Sequence, residues 1–398
     1  MMANIQYKVS IVYLFLFLIF MAISIKPIAQ PVGDGAEYSK IAENYKLFVQ
    51  GKLDNLPNYL YRDRLLPATT AGIVADIFNI PVSLSFRVLS FIAMFLFYFF
   101  TWYLLSKKVT NVVALTGLWI CYTINSYPIT WNLFNVYQLT DCMIYLWTAL
   151  IAIAFVDKKL FLFIPISFLA IITKQNLWFL VLPGYLFFAM YYFKVKENKK
   201  FILSLTFGSI ITSIVLLMFF TEASSIKNYM SYCMTGIFDI NLYKGRWLGV
   251  SKEFFWVYLP VLPVIFIKYK TVCKKVLEYF PFVPFFITSF IVVWPISLLE
   301  ASMDAYVRIM QPIVWPLCAY IVVLIVNDFD KMKNKCFLWV LSLAPIFFGV
   351  AHLAFFTISF KPLFILPAVF RHCLVLFLMA VYALIWYQTK VQKVHLSK

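Results

Sequence analysis

The stretch PVSLSFRVLSFIAMFLFYFFTWYLL, residues 81–105, carries a single charged side chain, Arg87, close to its start. The hydrocarbon core of a bilayer is about 30 Å thick, and about 20 apolar residues in an α-helix cross it. In lipid every backbone polar group needs a partner, which a helix supplies within one segment. This stretch therefore predicts a transmembrane helix.

The composition of the whole chain predicts the same environment. Of its 398 residues, 63% are hydrophobic, 20% are aromatic and 13% are charged, and the mean hydropathy is +0.87. A soluble chain is about 25% charged. We therefore expect an all-α, polytopic integral membrane protein in which residues 1–398 form a single transmembrane domain of about twelve helices. The predicted spans are 9–25, 81–105, 111–127, 139–156, 160–173, 175–193, 201–220, 253–268, 280–298, 306–326, 336–356 and 367–387.

Lysines divide the predicted loops into two sets. Clusters such as Lys107–Lys108, Lys158–Lys159 and Lys331–Lys335 follow every second span, as the positive-inside rule requires of cytoplasmic loops. Every arginine and most acidic residues fall on the opposite side. The pattern predicts a multi-pass plasma-membrane protein with both termini in the cytoplasm. The same pattern explains the net charge of +17 by topology and by contact with membrane lipids, and not by nucleic-acid binding. Because the arginines and most acidic residues share the outer face, we expect binding or chemistry to take place there.

Two predicted extracytoplasmic loops are long, at about 30–67 and 221–252. The first carries apolar side chains at helical spacing, which predicts amphipathic helices lying in the membrane interface. These side chains are Tyr38, Ile41, Ala42, Tyr45, Phe48 and Val49. Residues 68–78 follow as an apolar run that is too short to span, and we expect a partly embedded helix there.

Gly33-Asp34-Gly35-Ala36-Glu37-Tyr38 opens the first loop and contains the candidate catalytic pair, Asp34 and Glu37. A carboxylate at the membrane surface can take the proton of an acceptor hydroxyl during glycosyl transfer. The same spacing fits a capping box, with Asp34 at the N-cap and Glu37 three residues later. The two roles are compatible, because a cap would hold the carboxylate in place.

Basic side chains at the outer face are candidate ligands for a phosphate. Arg62 and Arg64 end the first loop, where they would clamp a phosphate or extend towards lipid headgroups. Lys174 lies in a tight turn between two spans, where a charge usually faces a cavity or a partner. Arg308 begins a late span and either reaches the cavity or pairs with Asp304 at i,i+4.

Other outer-face side chains are candidates for binding the sugar or the acceptor: Asp141, Glu222, Arg246 and Glu300. Tyrosine, asparagine and tryptophan accompany two of them in the 221–252 loop and suit sugar faces and hydroxyls, although an aromatic membrane belt has the same composition. The seven cysteines form no CxxC motif and the three histidines are scattered. We therefore expect no disulfide framework and no zinc or haem site. A divalent metal stays open, but one Asp/Glu pair is thin for a dedicated site, so we expect no required cofactor.

Taken together, these features resemble the GT-C superfamily of polytopic glycosyltransferases. The resemblance rests on the Asp34/Glu37 motif after the first span and on the polar turn Thr173-Lys174-Gln175. It also rests on Tyr61-Arg62-Asp63-Arg64-Leu65-Leu66-Pro67, similar to an Arg-x-Leu-Leu-Pro pattern, and on Arg308-Ile309-Met310-Gln311-Pro312. Such enzymes use polyprenyl-phosphate-linked sugars and act on the extracytoplasmic side.

The resemblance implies a hexosyl- or pentosyltransferase with a glycan, lipid or protein acceptor. In it, Asp34 would be the general base and Glu37 a supporting carboxylate. The implied ligands of the donor phosphate are Arg62, Arg64, Lys174 and Arg308. The reaction would be direct displacement at the anomeric carbon, in which the lipid phosphate leaves and needs only cationic stabilisation.

Two other classes of protein remain open on the sequence alone. An O-antigen-type polymerase or ligase shares the lipid-linked donor but relies on arginines in large late outer loops, here Arg246. A non-enzymatic transporter or flippase of lipid-linked sugars would place charges near the middle of its spans and often has inverted repeats. The predicted mid-span regions lack charges and no repeat is visible, although Pro295 and Pro316 are positions where helices break.

Overall fold

The computed structural model describes residues 33–52, 64–109, 136–157 and 159–174. It also describes single residues and short runs at 7–8, 10–12, 14–16, 19, 31, 115, 181, 207–208 and 210–211. The helices within the four ranges are α1 (Asp34–Glu43), α2 (Tyr45–Val49), α3 (Leu65–Phe78), α4 (Val82–Ser106), α5 (Leu139–Val156) and α6 (Leu160–Thr173). This part of the chain is all-helical and contains no strand. Apart from the single residues, the other predicted spans and the 221–252 loop lie outside the described residues.

The start of α1 is set by Gly33. This residue has φ 55°, in the left-handed region that glycine adopts without steric cost. Its carbonyl oxygen accepts a hydrogen bond from the Ala36 amide at 3.0 Å, so Gly33 is the N-cap. A glycine has no side chain to bond the first amides. The predicted capping box is therefore wrong: Asp34 is the first helical residue, and both Asp34 and Glu37 lie in the first turn.

The first loop packs onto α3 through most of the predicted apolar face. Tyr38, Ile41 and Ala42 are almost fully buried. Val49 is 66% exposed and does not belong to this face, because the non-helical Asn44 interrupts the periodicity between α1 and α2.

α1 and α3 approach each other closely at Gly72. A Cβ atom there would collide with the Ala42 carbonyl oxygen and would lie 2.7 Å from the Cδ1 atom of Tyr45. The absence of a side chain at this position allows the backbone of α1 to lie directly on α3.

A short junction separates α3 from α4. Asn79 takes the left-handed conformation, with φ 50° and ψ 48°, and ends α3, and Pro81 directly precedes α4. The predicted short helix at 68–78 is present and begins three residues earlier, at Leu65. α4 has 25 residues, differs from the predicted span by one residue at each end, and is the one helix of the described part that is long and apolar enough to cross a membrane.

α4 presents two different faces. Apolar side chains one turn apart (Leu84, Val88 and Ile92) are exposed. The opposite face is buried against the rest of the helices and includes Phe86 and Phe97. An exposed apolar stripe opposite a buried one is the pattern expected of a helix that borders lipid.

α5 and α6 coincide with two predicted spans at both ends. They form an antiparallel pair joined by a short connection at residues 157–159. The Trp147 indole donates a hydrogen bond to the Thr173 hydroxyl at 2.8 Å, which ties the middle of α5 to the last residue of α6. Both helices are apolar but shorter than α4.

Polar pairs mark the two ends of α5. Near its start Asp141 pairs with Lys174, and directly after its end Asp157 pairs with Lys107 at 3.4 Å. These aspartates are 16 positions apart, which corresponds to about 24 Å of helix. Lys107 and Asp157 were both assigned to the cytoplasmic side, and Asp141 and Lys174 to the outer side. The complete topology stays a prediction.

The close approach at Gly72 leads to a test of the packing. We expect Gly72→Ala to lower the thermal unfolding midpoint of the detergent-solubilised protein, because the obstructing atom is the backbone oxygen of Ala42 and cannot rotate away. Overpacking of this kind costs about 1–3 kcal/mol. Gly208→Ala is the matched control, since a Cβ there meets nothing within 4 Å. Equal midpoints for the two variants would contradict the close packing of α1 on α3.

Candidate functional site

Four charged side chains lie at helix termini around one end of the described helices. Asp34 begins α1, Arg64 directly precedes α3, Asp141 lies in the first turn of α5, and Lys174 directly follows α6. A helix has partial positive charge at its N-terminus and partial negative charge at its C-terminus. The two aspartates and the lysine suit their helix ends, whereas Arg64 is opposed by the dipole of α3.

Arg64 contacts two other polar side chains, Tyr38 and Asp34. Its Nη1 donates a hydrogen bond to the Tyr38 hydroxyl and lies 3.9 Å from Oδ2 of Asp34. The side chain of Arg64 is 11% exposed, whereas that of Asp34 is 42% exposed. The cation is thus buried, while the carboxylate beside it remains accessible.

The pKa values around Arg64 follow from burial and from these contacts. Burial raises the pKa of Tyr38 above its usual value, although the Arg64 charge and the neighbouring Thr140 hydroxyl lower it. Tyr38 is therefore protonated at neutral pH, and its hydroxyl can donate one hydrogen bond while it accepts another. Burial opposes the charge on Arg64, but Tyr38, Asp34 and Asp141 raise the Arg64 pKa, so the guanidinium stays charged.

Asp141 and Lys174 form the second ion pair of the cluster. Lys174 Nζ lies 3.0 Å from Asp141 Oδ1, and the two side chains are 11% and 6% exposed. Thr140, next to Asp141, faces the Tyr38 hydroxyl. This pairing differs from the contacts that were predicted for the two residues. Lys174 was expected to meet a donor phosphate and Asp141 a sugar or acceptor, but each is buried against the other, and those roles stay predictions.

Glu37 lies within the first turn of α1, three residues after Asp34. Its side chain is partly buried, and its Oε2 is inaccessible and has no hydrogen-bond partner among the described residues. No group of three or more potential metal ligands occurs in the part of the chain that the structure describes. Nothing in the geometry assigns Glu37 a role beyond the predicted supporting one.

The structure thus gathers Asp34, Arg64, Asp141 and Lys174, which are separated widely in the sequence. The remaining candidates lie outside the described residues: Arg62, Glu222, Arg246, Glu300 and Arg308. Tyr38 and Thr140 were not identified from the sequence as members of the site. Tyr38 had been counted as part of an apolar face, and its position four residues after Asp34, on the same side of α1, was the available signal.

The chain matches no protein-family model, no curated protein and no solved structure. The functional argument therefore depends on its residues and their geometry.

The buried pair of Asp141 and Lys174 generates a stability prediction. We expect Lys174→Met to lower the thermal unfolding midpoint strongly, because it leaves the Asp141 charge buried without its cation; breaking a buried pair costs about 3–5 kcal/mol. The double variant Asp141→Leu/Lys174→Met should recover most of this loss, because it removes both charges.

A matched control for this prediction is Lys46→Met, which removes an exposed lysine 2.7 Å from Asp76. The midpoint of this variant should hardly change, since exposed ion pairs contribute little. If Lys174→Met is as mild as Lys46→Met, the Asp141–Lys174 pair does not stabilise the fold.

Proposed function

We propose that the protein is a multi-pass membrane glycosyltransferase. It would move a hexose or pentose from a polyprenyl-phosphate-linked donor to an extracytoplasmic glycan, lipid or protein. The observation that carries this proposal is the accessible carboxylate of Asp34, placed at the start of α1 and held 3.9 Å from the buried guanidinium of Arg64. A fixed carboxylate that is open on one side has the geometry required of a general base.

The proposed reaction breaks the bond between the anomeric carbon and the phosphate oxygen of the donor. The acceptor oxygen forms the new bond to that carbon, and its proton passes to the Asp34 carboxylate. The polyprenyl phosphate leaves with the electron pair of the broken bond. No proton has to reach the leaving group, so its main requirement is a nearby positive charge.

The geometry divides the proposed phosphate ligands into two groups. Lys174 is already paired with Asp141, and Arg64 already contacts Tyr38 and Asp34. A phosphate at Lys174 would have to replace the Asp141 carboxylate, and a phosphate at Arg64 would compete with Asp34 for the same charge. Arg62 and Arg308 lie outside the described residues and stay predicted ligands of the donor phosphate, whereas Arg64 is the better candidate for holding the base.

The plasma-membrane location of the site is supported by α4 and by the two polar ends of α5. α4 is long and apolar enough to span, and the site lies at the end assigned to the extracytoplasmic side. A lipid-linked donor would approach from the membrane and an acceptor from the aqueous side. No cofactor is needed for this displacement.

The proposal is tested by Asp34→Asn. With matched amounts of folded protein in membranes, we expect release of polyprenyl phosphate from a panel of polyprenyl-phosphate hexoses and pentoses to fall about 100-fold or more, because an amide cannot take the acceptor proton. The matched control is Glu43→Gln, the same chemical change at the other end of α1, where the carboxylate accepts a hydrogen bond from Ser39 at 3.1 Å. This control should retain full turnover.

Two other outcomes would overturn the proposal. Full activity in Asp34→Asn combined with loss of activity in Arg246→Ala would indicate a polymerase or ligase that uses the 221–252 loop. Movement of lipid-linked sugar across the membrane, with no donor consumed by the wild type, would indicate a transporter.

A further inference from the structure

The hydroxyl of Tyr38 is buried at a position where a phenylalanine would cost less free energy. The side chain is 2% exposed, and its ring packs in the interface between α1 and the other helices. Burying a hydroxyl costs free energy unless the hydroxyl forms a hydrogen bond. Phenylalanine would fill nearly the same space without that cost. The hydroxyl therefore calls for a contact that the ring alone cannot make, and Arg64 supplies it.

One nitrogen of Arg64 serves two partners. Nη1 donates to the Tyr38 hydroxyl and is also the guanidinium atom within 3.9 Å of Asp34 Oδ2. Asp34 and Tyr38 are four residues apart in α1, so their side chains lie on the same side of the helix, one turn apart. The hydroxyl thus fixes the position of the atom that faces the carboxylate.

We infer that Tyr38 is a positioning residue: its hydroxyl holds the guanidinium of Arg64 against the Asp34 carboxylate and thereby sets the direction of that carboxylate. Arginine suits this task because its planar group presents several donors in a fixed geometry. The inference deepens the proposed function and depends on it for its effect on turnover. The geometric part of the inference does not depend on any activity.

The start of α5 also lies close to the Tyr38 hydroxyl. Thr140 faces the hydroxyl, and the charge of the adjacent Asp141 also acts on Tyr38. Asp141 is in turn fixed by Lys174 at 3.0 Å. The buried pair therefore joins the start of α5 to the end of α6 close to Tyr38 and Arg64, and the charge of Asp141 acts on both of them.

The first test is the kinetics of Tyr38→Phe. We expect kcat to fall about 10- to 100-fold with the KM for the donor nearly unchanged, because a small misplacement of a catalytic group affects the transition state more than substrate binding. A higher KM with unchanged kcat would show that the hydroxyl binds substrate. Unchanged values of both constants would show that the hydroxyl has no positioning role. Either result overturns the inference.

The matched control is Tyr45→Phe. It removes a tyrosine hydroxyl from the adjacent helix α2, where that hydroxyl donates to Asp76 at 3.0 Å on the exposed side. This variant should keep both kinetic constants. If Tyr45→Phe reproduces the kinetic effect of Tyr38→Phe, the effect is a general loosening of the loop and the positioning inference fails.

The second test needs no turnover. With Asp34→Cys, the rates of thiol modification by an anionic and by a cationic methanethiosulfonate are compared, and labelling at residue 34 is measured by peptide mass spectrometry. The nearby Arg64 charge should favour the anionic over the cationic reagent by up to about 25-fold, because a unit charge about 4 Å away in water speeds the one and slows the other by about fivefold each. Adding Tyr38→Phe should reduce this preference at least about twofold, whereas adding Tyr45→Phe should not.

The labelling test separates the two proposals. If the wild type consumes no donor but Tyr38→Phe abolishes the preference for the anionic reagent, the proposed function fails and the positioning of Arg64 by Tyr38 stands. If the preference is the same with tyrosine or phenylalanine at position 38, the positioning inference is wrong even when Asp34 proves to be the base.

Discussion

The buried positive charge of Arg64 is the constraint on which the arrangement of the described helices depends. Transfer of a charge from water to a protein interior costs several kcal/mol even after relaxation. Arg64 also precedes the N-terminus of α3, where the helix dipole repels a cation. The charge is therefore tolerated only where other groups compensate it, and these groups come from two other helices. α1 supplies Asp34 and Tyr38, and α5 supplies Asp141.

This compensation requires α1 to lie in a defined place, and the packing provides it. The glycine at position 72 lets the backbone of α1 approach α3 closely, and Ile41 and Ala42 are buried in that contact. The apolar face thus sets the distance between the helices, while the polar contacts at the start of α1 set its rotation. An accessible carboxylate at Asp34 results from both. Apolar packing alone would leave its direction undefined, because dispersion contacts are not directional.

The sequence was a good guide to helices and a poor guide to contacts between them. The bounds of α5 and α6 were predicted at both ends and those of α4 to within one residue, because long apolar runs that end at or near a lysine leave few alternatives. The start of α1 was assigned incorrectly because the spacing of Asp34 and Glu37 fits a capping box equally well. Only the backbone conformation of Gly33 distinguishes the two arrangements.

The composition of the site was harder to predict, for a physical reason. Arg64 lies 26 residues from Tyr38, and Lys174 lies 33 residues from Asp141. No periodicity along the chain relates residues so far apart; their meeting depends on how the helices are placed. Arg64 and Lys174 were recognised as unusual charges at the outer face, but a loop cation that binds phosphate and one that pairs with a carboxylate look alike in the sequence. Tyr38 was overlooked because its ring satisfies the apolar pattern by itself.

The charges of the cluster constrain where a ligand can bind. Asp34 and Asp141 balance Arg64 and Lys174, so the four side chains together are neutral. An anionic donor brought to Lys174 would have to separate the lysine from Asp141 and leave that carboxylate buried and uncompensated, and one brought to Arg64 would compete with Asp34 for the same charge. A neutral acceptor hydroxyl approaching the open side of Asp34 needs no such rearrangement. The cluster is therefore better suited to the acceptor and its proton than to the donor phosphate, which requires cations that do not already neutralise an acid.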